Sequence, residues 1–345
     1  MSIGLHWKKS PLAYWTELQF ENEVYRWLVA ASAADLILTP LQKTIPMFSS
    51  ILTLSLASCW YLIAPTEFMR EAPCNQAEVV SQAIFSEELV LLDRSEGWAK
   101  VETVVDHYRG WIRESALCFR EEPFCSVCSR AKSVTVNKLA AHLYTTPSIV
   151  YGPLLTLPFE SRLELIDGMA AASTPWVEVT LPDGRRAFIQ RGNVAFDPVA
   201  MSLEEMIAFS LECVGLPYTW GGRSSFGYDC SGFVQMLYRQ RGVYLPRDAK
   251  DQYRWKGFEP VALEALLPGD LLFFGLSEEK ISHVGMYLGE DLFIHATAFG
   301  EGDNLSYLHV SDLSAPQWDG SGRLAFRAAR RCALELHRRG EESGG

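Results

Sequence analysis

Two stretches of this chain alternate apolar and polar residues in short runs broken by turn signals, and neither carries a helical period. In the first, about 77 to 120, "SQAIFSEELVLLDRSEGWAKVETVVDHYRGWIRESAL" holds roughly five short strands between turns at "RSEG" and "DHYRG". The second, about 134 to 197, repeats the texture, with Asp183-Gly184 as a hairpin turn because glycine accepts the positive φ required there. "WAKVETV…YRGWI" and "WVEVTLPDGRRAFI" read as two copies of one unit. Strands this short and this many close most simply into small barrels. After residue 200 the period changes. Ser202 and Glu205 form a capping box, and Leu203, Met206, Ile207, Ser210 and Leu211 share one helical face. A second helix follows Cys230, and then "GDLLFFG", "ISHVGMYLG" and "LFIHATAF" read as strands. The expected class is α+β, with two all-β barrels before a domain of helices and antiparallel sheet.

The formal charge of −11 argues against nucleic acid or an anionic surface as the main partner. The eight cysteines lack the spacing of a disulfide scaffold. Cys125 and Cys128 make one C-x2-C without a second pair, so a structural zinc site is not expected. Residues 45–64, "IPMFSSILTLSLASCWYLIA", are long enough to cross a bilayer, and "LASC" looks like a lipoprotein processing site. A signal peptide should begin the chain with a basic flank, whereas 44 residues precede this segment and a start at Met47 would leave no such flank; Pro46 and several hydroxyls also dilute the run. The segment reads either as membrane anchor or signal, or as a buried helix.

The chemistry gathers around "YDCSGFVQMLYRQRG". Asp229 is the natural cap of the helix, which places Cys230 on its first turn. Unpaired N–H groups and the helix dipole there favour a thiolate. The alternative is a small hydrophobe in a core. A thiol nucleophile needs a base and a group that orients it. A hairpin folded about Gly289 sets His283 directly opposite His295, close enough for the rings to meet. Two unrelated sheet histidines remain the alternative, and a metal site on them lacks a third ligand. "LPYTWGGRS" precedes the cysteine, with Gly221-Gly222 allowing close backbone approach and Tyr218 able to aim a hydroxyl at an oxyanion. No nucleotide or zinc-protease motif is present.

In this order, "YTWGG", "DCSGFV", "LPRDAKDQ", "PGDLLFF", "HVGMYLG" and "FIHA" resemble the NlpC-type cysteine peptidases of bacterial cell walls, over roughly residues 203 to 330. The resemblance implies a papain-like fold with a Cys-His-His triad: Cys230 as nucleophile, His283 as base, His295 orienting it. It implies an oxyanion-side role for Tyr218, with Asp229 and Ser231 flanking the nucleophile in the substrate site. The two barrels resemble bacterial SH3-like domains. Together they point to the γ-D-glutamyl-L-diamino-acid endopeptidases, which cut wall peptides after a free N-terminal L-Ala and D-Glu. "AEVVSQ", "DHYRGW" and "PRDAKDQ" then imply that Glu78, Tyr108 and Asp248 grip the amine. Solvated surface acids are the plain alternative for Glu78 and Asp248.

The expected organisation is an N-terminal extension (1–76), SH3-like domains at 77–122 and 133–198, a peptidase domain at 200–332 and a polar tail at 333–345. The expected activity is thiol hydrolysis of the γ-D-Glu–diaminopimelate bond in peptidoglycan stem peptides or muropeptides, with no cofactor and no metal. The expected place is the bacterial cell envelope, with the cytoplasm as the alternative. A wall-binding protein with an inert peptidase domain is the rival reading, and acyl transfer or deamidation by the same thiol is a third.

Overall fold

The computed structural model describes residues 59–121, 123–124, 133–166, 173–298, 306–318 and 324–333. Seven strands, β1 (Cys59–Leu62), β2 (Thr66–Arg70), β3 (Val79–Ile84), β4 (Glu88–Ser95), β5 (Trp98–Thr103), β6 (Arg109–Arg113) and β7 (Leu117–Arg120), form one antiparallel sheet. Its order is β3-β2-β6-β5-β4-β1-β7. A second set follows: β8 (Ser133–Val136), β9 (Ala140–Tyr144), β10 (Leu155–Pro158), β11 (Arg162–Leu165), β12 (Trp176–Thr180), β13 (Arg186–Gln190) and β14 (Val194–Ala195). Its order, β10-β9-β13-β12-β11-β8-β14, is the first displaced by seven. In both, a 3-10 turn (Glu114–Ala116, Arg191–Asn193) introduces the last strand. "WAKVET" and "WVEVT" occupy the same place in the two sheets, as copies of one unit must. Gly184, at φ +82°, turns the β12–β13 hairpin.

The first barrel begins at Cys59, upstream of the expected residue 77: β3 to β7 are the five strands expected in 77–120, and β1 and β2 precede them. β1 lies inside the apolar segment 45–64, so Cys59–Leu62 is strand, not part of a helix. Its Cys59, Tyr61 and Leu62 are buried. The continuous apolar run "CWYLIA" hid this, because such a run carries no period to separate strand from helix. Residues 45–58, including most of "LASC", lie outside the described residues, as do the rest of the N-terminal extension, the linker with Cys125 and Cys128, and the tail beyond 333. Among the described residues no helix is long and apolar enough to cross a membrane.

In the third domain, α1 (Leu203–Glu212) starts with the expected capping box, Ser202 accepting from the Glu205 N–H and the Glu205 carboxylate from the Ser202 N–H. A short ribbon of β15 (Arg223–Ser224) and β16 (Gly227–Tyr228) leads into α2 (Cys230–Gln240), and α3 (Ala249–Tyr253) follows. Six antiparallel strands complete it: β17 (Phe258–Val261), β18 (Leu271–Gly275), β19 (Ile281–Gly289), β20 (Leu292–Thr297), β21 (Tyr307–Asp312) and β22 (Phe326–Cys332), in the order β17-β22-β18-β19-β20-β21. The three runs read as strands are the adjacent β18, β19 and β20. Charged or mixed sequences such as "FRAARRC" concealed β17, β21 and β22. Phe233, Val234 and Leu237 of α2 pack with Val284, Met286, Ile294 and Ala296 of the sheet.

Buried polar contacts hold the barrels to this domain. Arg223, only 2% exposed, donates to Glu87 Oε1 from both terminal nitrogens at 3.1 Å, to the Gln82 carbonyl at 2.9 Å and to Gln235 Oε1 at 3.2 Å. Gln235 donates in turn to Asp106 at 2.8 Å. From the second barrel, Glu160 accepts from Arg239 Nε at 2.8 Å, and Phe159 packs on Phe209 with ring centroids 4.7 Å apart. Removing one partner of a buried pair strands the other charge, at a cost of about 3–5 kcal/mol. Glu87→Ala should therefore lower the melting temperature by many degrees. Glu114→Ala, which breaks the exposed Arg94–Glu114 pair, should shift stability by no more than about 1 kcal/mol. Thermal denaturation of the two variants beside wild type checks this, and equal effects would refute it.

Candidate active site

Asp229, extended at φ −90° and ψ 178°, caps α2 by accepting the Gly232 N–H at 2.7 Å, so Cys230 is the first residue of the helix. The helix tip sits against the "WGG" loop. A Cβ on Gly232 would come within 2.2 Å of the Gly222 carbonyl oxygen, and one on Gly222 within 2.3 Å of that of Gly227. Only glycines allow this approach. Beneath the tip lies Arg247, 3% exposed. It donates to both Asp229 oxygens (2.5 and 3.0 Å), to Ser231 Oγ (2.9 Å) and, from Nε, to Ser81 Oγ of the first barrel (3.1 Å). The side chains of Asp229 and Ser231, expected to flank the nucleophile, are thus buried and tied to this guanidinium.

The histidine hairpin is built differently from the expected one. Met286 pairs with Ile294, Tyr287 with Phe293 and Gly289 with Leu292. The turn residues are Glu290 and Asp291, at φ +51° and +60°. Positive φ at both central positions belongs to a type I′ turn, for which Gly289 was mistaken as the centre. Continued one step, the register sets Gly285 opposite His295 and leaves His283 on the diagonal. Diagonal neighbours are about 7–8 Å apart, a gap that two rings can span. His283 Nε2 and His295 Nδ1 are 2.7 Å apart. A Cβ on Gly285 would meet the Phe293 ring at 2.8 Å and His295 Cβ at 3.1 Å, so the bare position gives the rings their room. His295 Nε2 lies 2.9 Å from Ser311 Oγ, and the ring of His309 stands 4.6 Å from that of His295.

Burial governs the protonation states. It pushes the Cys230 thiol up to about 12, Asp229 adding to the shift, against the Val284 N–H, Arg247 and the Ser231 N–H. This is the opposite of what the helix tip alone implies: the dipole and two N–H groups do not offset the loss of water. Burial lowers His283 to about 4, with His309 pushing the same way and Asp229 opposing. His295 too is held well below its ordinary value, by burial first and then by its two histidine neighbours. At neutral pH the resting pair is therefore a thiol and a neutral imidazole. Tyr218 is raised by burial, then by Cys230 and Asp229, which keeps its phenol protonated beside the thiol. Its backbone N–H donates to the Ser306 carbonyl at 2.9 Å.

Tyr108, just before β6, lies 3.3 and 3.5 Å from the two oxygens of Asp248, the residue before α3. Burial and Asp248 raise the phenol, so Tyr108 donates to this carboxylate. Lys250 Nζ is 3.6 Å from the same carboxylate. Glu78 is exposed, one residue before Val79, whose carbonyl accepts the Trp220 indole N–H at 2.9 Å. The sequence reading missed Arg247, Arg223, Gln235 and Ser311. Arg247 stood inside the quoted "LPRDAKDQ", where an arginine beside an acid was the available signal. The other three carry none, because their partners lie dozens of residues away or across the sheet.

A cysteine at the tip of a buried helix, packed on an antiparallel sheet with a hydrogen-bonded histidine pair, defines a papain-like thiol hydrolase domain, carried here behind two SH3-like barrels. Residues 215–321 match the NlpC/P60 family, and residues 69–117 the bacterial dipeptidyl-peptidase Sh3 domain. The chain belongs to the NlpC/P60 family of cysteine peptidases. It is 31% identical over 236 residues to the γ-D-glutamyl-L-lysine dipeptidyl-peptidase of Bacillus cereus, covering 64% of this chain and 68% of that one. The enzyme of the same name from Bacillus subtilis is 30% identical over 237 residues, covering 66% and 75%. A crystal structure of an NlpC/P60 family protein from Bacillus cereus has the same fold, with a TM-score of 0.66 at 24% identity, over 80% of this chain and all of that one.

A neutral buried histidine makes stability pH-dependent. The unfolded chain takes up the proton below about 6.5 and the folded His283 only near 4, so stability is complete above 6.5 and falls as the pH drops from there toward 4. The loss from this residue alone is about 3 kcal/mol. Denaturant midpoints between pH 7 and 4.5 should decline, and His283→Gln, which cannot titrate, should flatten the slope. An unchanged slope would refute the assignment.

Proposed function

We propose that the protein hydrolyses the γ-D-glutamyl bond to an L-diamino acid in peptidoglycan stem peptides that begin with a free L-Ala. The observation that carries this reading is the Tyr108–Asp248 contact, which sets a half-buried carboxylate and a phenol from two domains together. An ammonium leaving water needs such partners, because its desolvation is costly unless charge and hydrogen bonds replace the solvent. Exposed Glu78 adds negative charge on the same barrel. The relatives' names contain a γ-D-glutamyl group joined to L-lysine, where the sequence reading put diaminopimelate. Both present an α-amine on an L centre as the leaving group.

Cys230 Sγ attacks the γ-carbonyl carbon of D-Glu as its proton passes to His283, so thiolate and imidazolium form together rather than waiting as an ion pair. The Tyr218 hydroxyl donates to the oxyanion that develops. As the tetrahedral adduct collapses, His283 protonates the departing amine, leaving a thioester on Cys230. Water, deprotonated by His283, attacks the thioester; the adduct collapses to L-Ala-D-Glu with a free γ-carboxyl group, and His283 returns the proton to the departing Cys230 sulfur. His295 holds Nε2 of His283 throughout.

Two outcomes test the reading. Cys230→Ser should fold as wild type and lose turnover by orders of magnitude, and a variant retaining more than about a tenth of the rate would exclude the nucleophile. Acetylating L-Ala in L-Ala-γ-D-Glu-meso-diaminopimelate should slow cleavage by about a hundredfold, or about 3 kcal/mol, and Asp248→Asn should do the same to the free peptide. Mass spectrometry of the products decides; equal rates for free and acetylated peptide would sink the amine grip.

A further inference from the structure

We propose that Ser311 is a positioning residue for the base, the last acceptor of a relay running from the Cys230 thiol through His283 and His295. The inference rests on the thiol-peptidase reading above. β20 pairs His295 with His309 and Phe293 with Ser311 of β21. Ser311 therefore stands on the diagonal from His295, as His283 does on the other side. The three side chains form one line across β19, β20 and β21, with contacts of 2.7 Å and 2.9 Å.

Each neutral ring carries one proton, so this line has two self-consistent patterns. In one, the Ser311 oxygen accepts from His295 Nε2–H, His295 Nδ1 accepts from His283 Nε2–H, and His283 Nδ1 is left with its lone pair. In the other, every proton is displaced by one step, and His283 Nδ1 carries a hydrogen and cannot take one from the thiol. Only the first pattern makes His283 a base. His295 is fully buried, so without the serine oxygen that pattern strands an N–H, whereas the second leaves only a lone pair unmet. Buried N–H groups without an acceptor are the rarer and costlier case. Ser311 thus tips the pair toward the useful tautomers. It also continues the chain of polarised hydrogen bonds when His283 becomes imidazolium.

Ser311→Ala should lower kcat by about tenfold, the worth of one buried hydrogen bond, with KM within about twofold. Ser311→Thr, which keeps the hydroxyl, should restore most of it. Ring ¹⁵N NMR of the wild-type protein should show His295 protonated at Nε2, and the alanine variant should move that proton to Nδ1. Unchanged kcat in the alanine variant, equal loss in the threonine variant, or a wild-type His295 protonated at Nδ1 would each overturn the proposal. The NMR measurement needs no substrate. A wild-type protein that leaves the peptide uncut would count against the substrate reading, and the tautomer would still decide the role of Ser311.

Discussion

The guanidinium of Arg247 is where the helix tip and the first barrel become one piece. A planar fork of donors serves Asp229, Ser231 and Ser81 at once, which the point charge of a lysine could not do. Asp229 caps the Cys230 helix with the same carboxylate that neutralises the arginine, so the cap and the ion pair depend on each other. Because Nε reaches the first barrel, the barrel's position is fixed relative to Cys230 rather than left to a linker. Asp248 follows Arg247 directly and inherits that placement, which is how it meets Tyr108. Arg223 does the same work on the other side of Cys230 in the sequence, through Glu87 and Gln82.

Enclosure of this kind sets the electrostatics. Water is excluded from Cys230 and from both histidines, and the charged form of each is disfavoured more than the helix tip can favour a thiolate. In the reaction proposed above, Cys230 stays a thiol until the carbonyl arrives and only then passes its proton to His283. In a medium of low effective dielectric, the new thiolate and imidazolium attract each other strongly. Hydrogen bonds fixed in advance then stabilise the charge without reorganisation.

The duplicated barrel shows what repetition contributes. Two sheets with one strand order, built from "WAKVET" and "WVEVT" at matching places, face the third domain in different ways. The first meets it through buried arginine pairs near the cysteine, and the second through Glu160 and Phe159 at the far end of α2. One unit meets the Cys230 end of α2 through Ser81 and Arg247. The other braces the far end of the same helix.

The sequence by itself determined the local elements and the chemistry: the capping box at Ser202, the Asp229 cap that places Cys230 on a first turn, the adjacent strands β18, β19 and β20, and a histidine pair within one hairpin. Short-range signals carry these, since caps, turns and periodicity act over a few residues. It misread the start of the first barrel, where an apolar run has no period, and the register of the histidine hairpin, where two acidic residues took left-handed conformations usually left to glycine. Only the tertiary structure decided that His283 and His295 meet on a diagonal made open by Gly285, that Arg247 and Arg223 join domains, and that burial rather than the dipole sets the thiol's charge. These outcomes depend on which surfaces are pressed together and emptied of water, and contacts between residues from 12 to 166 positions apart supply them.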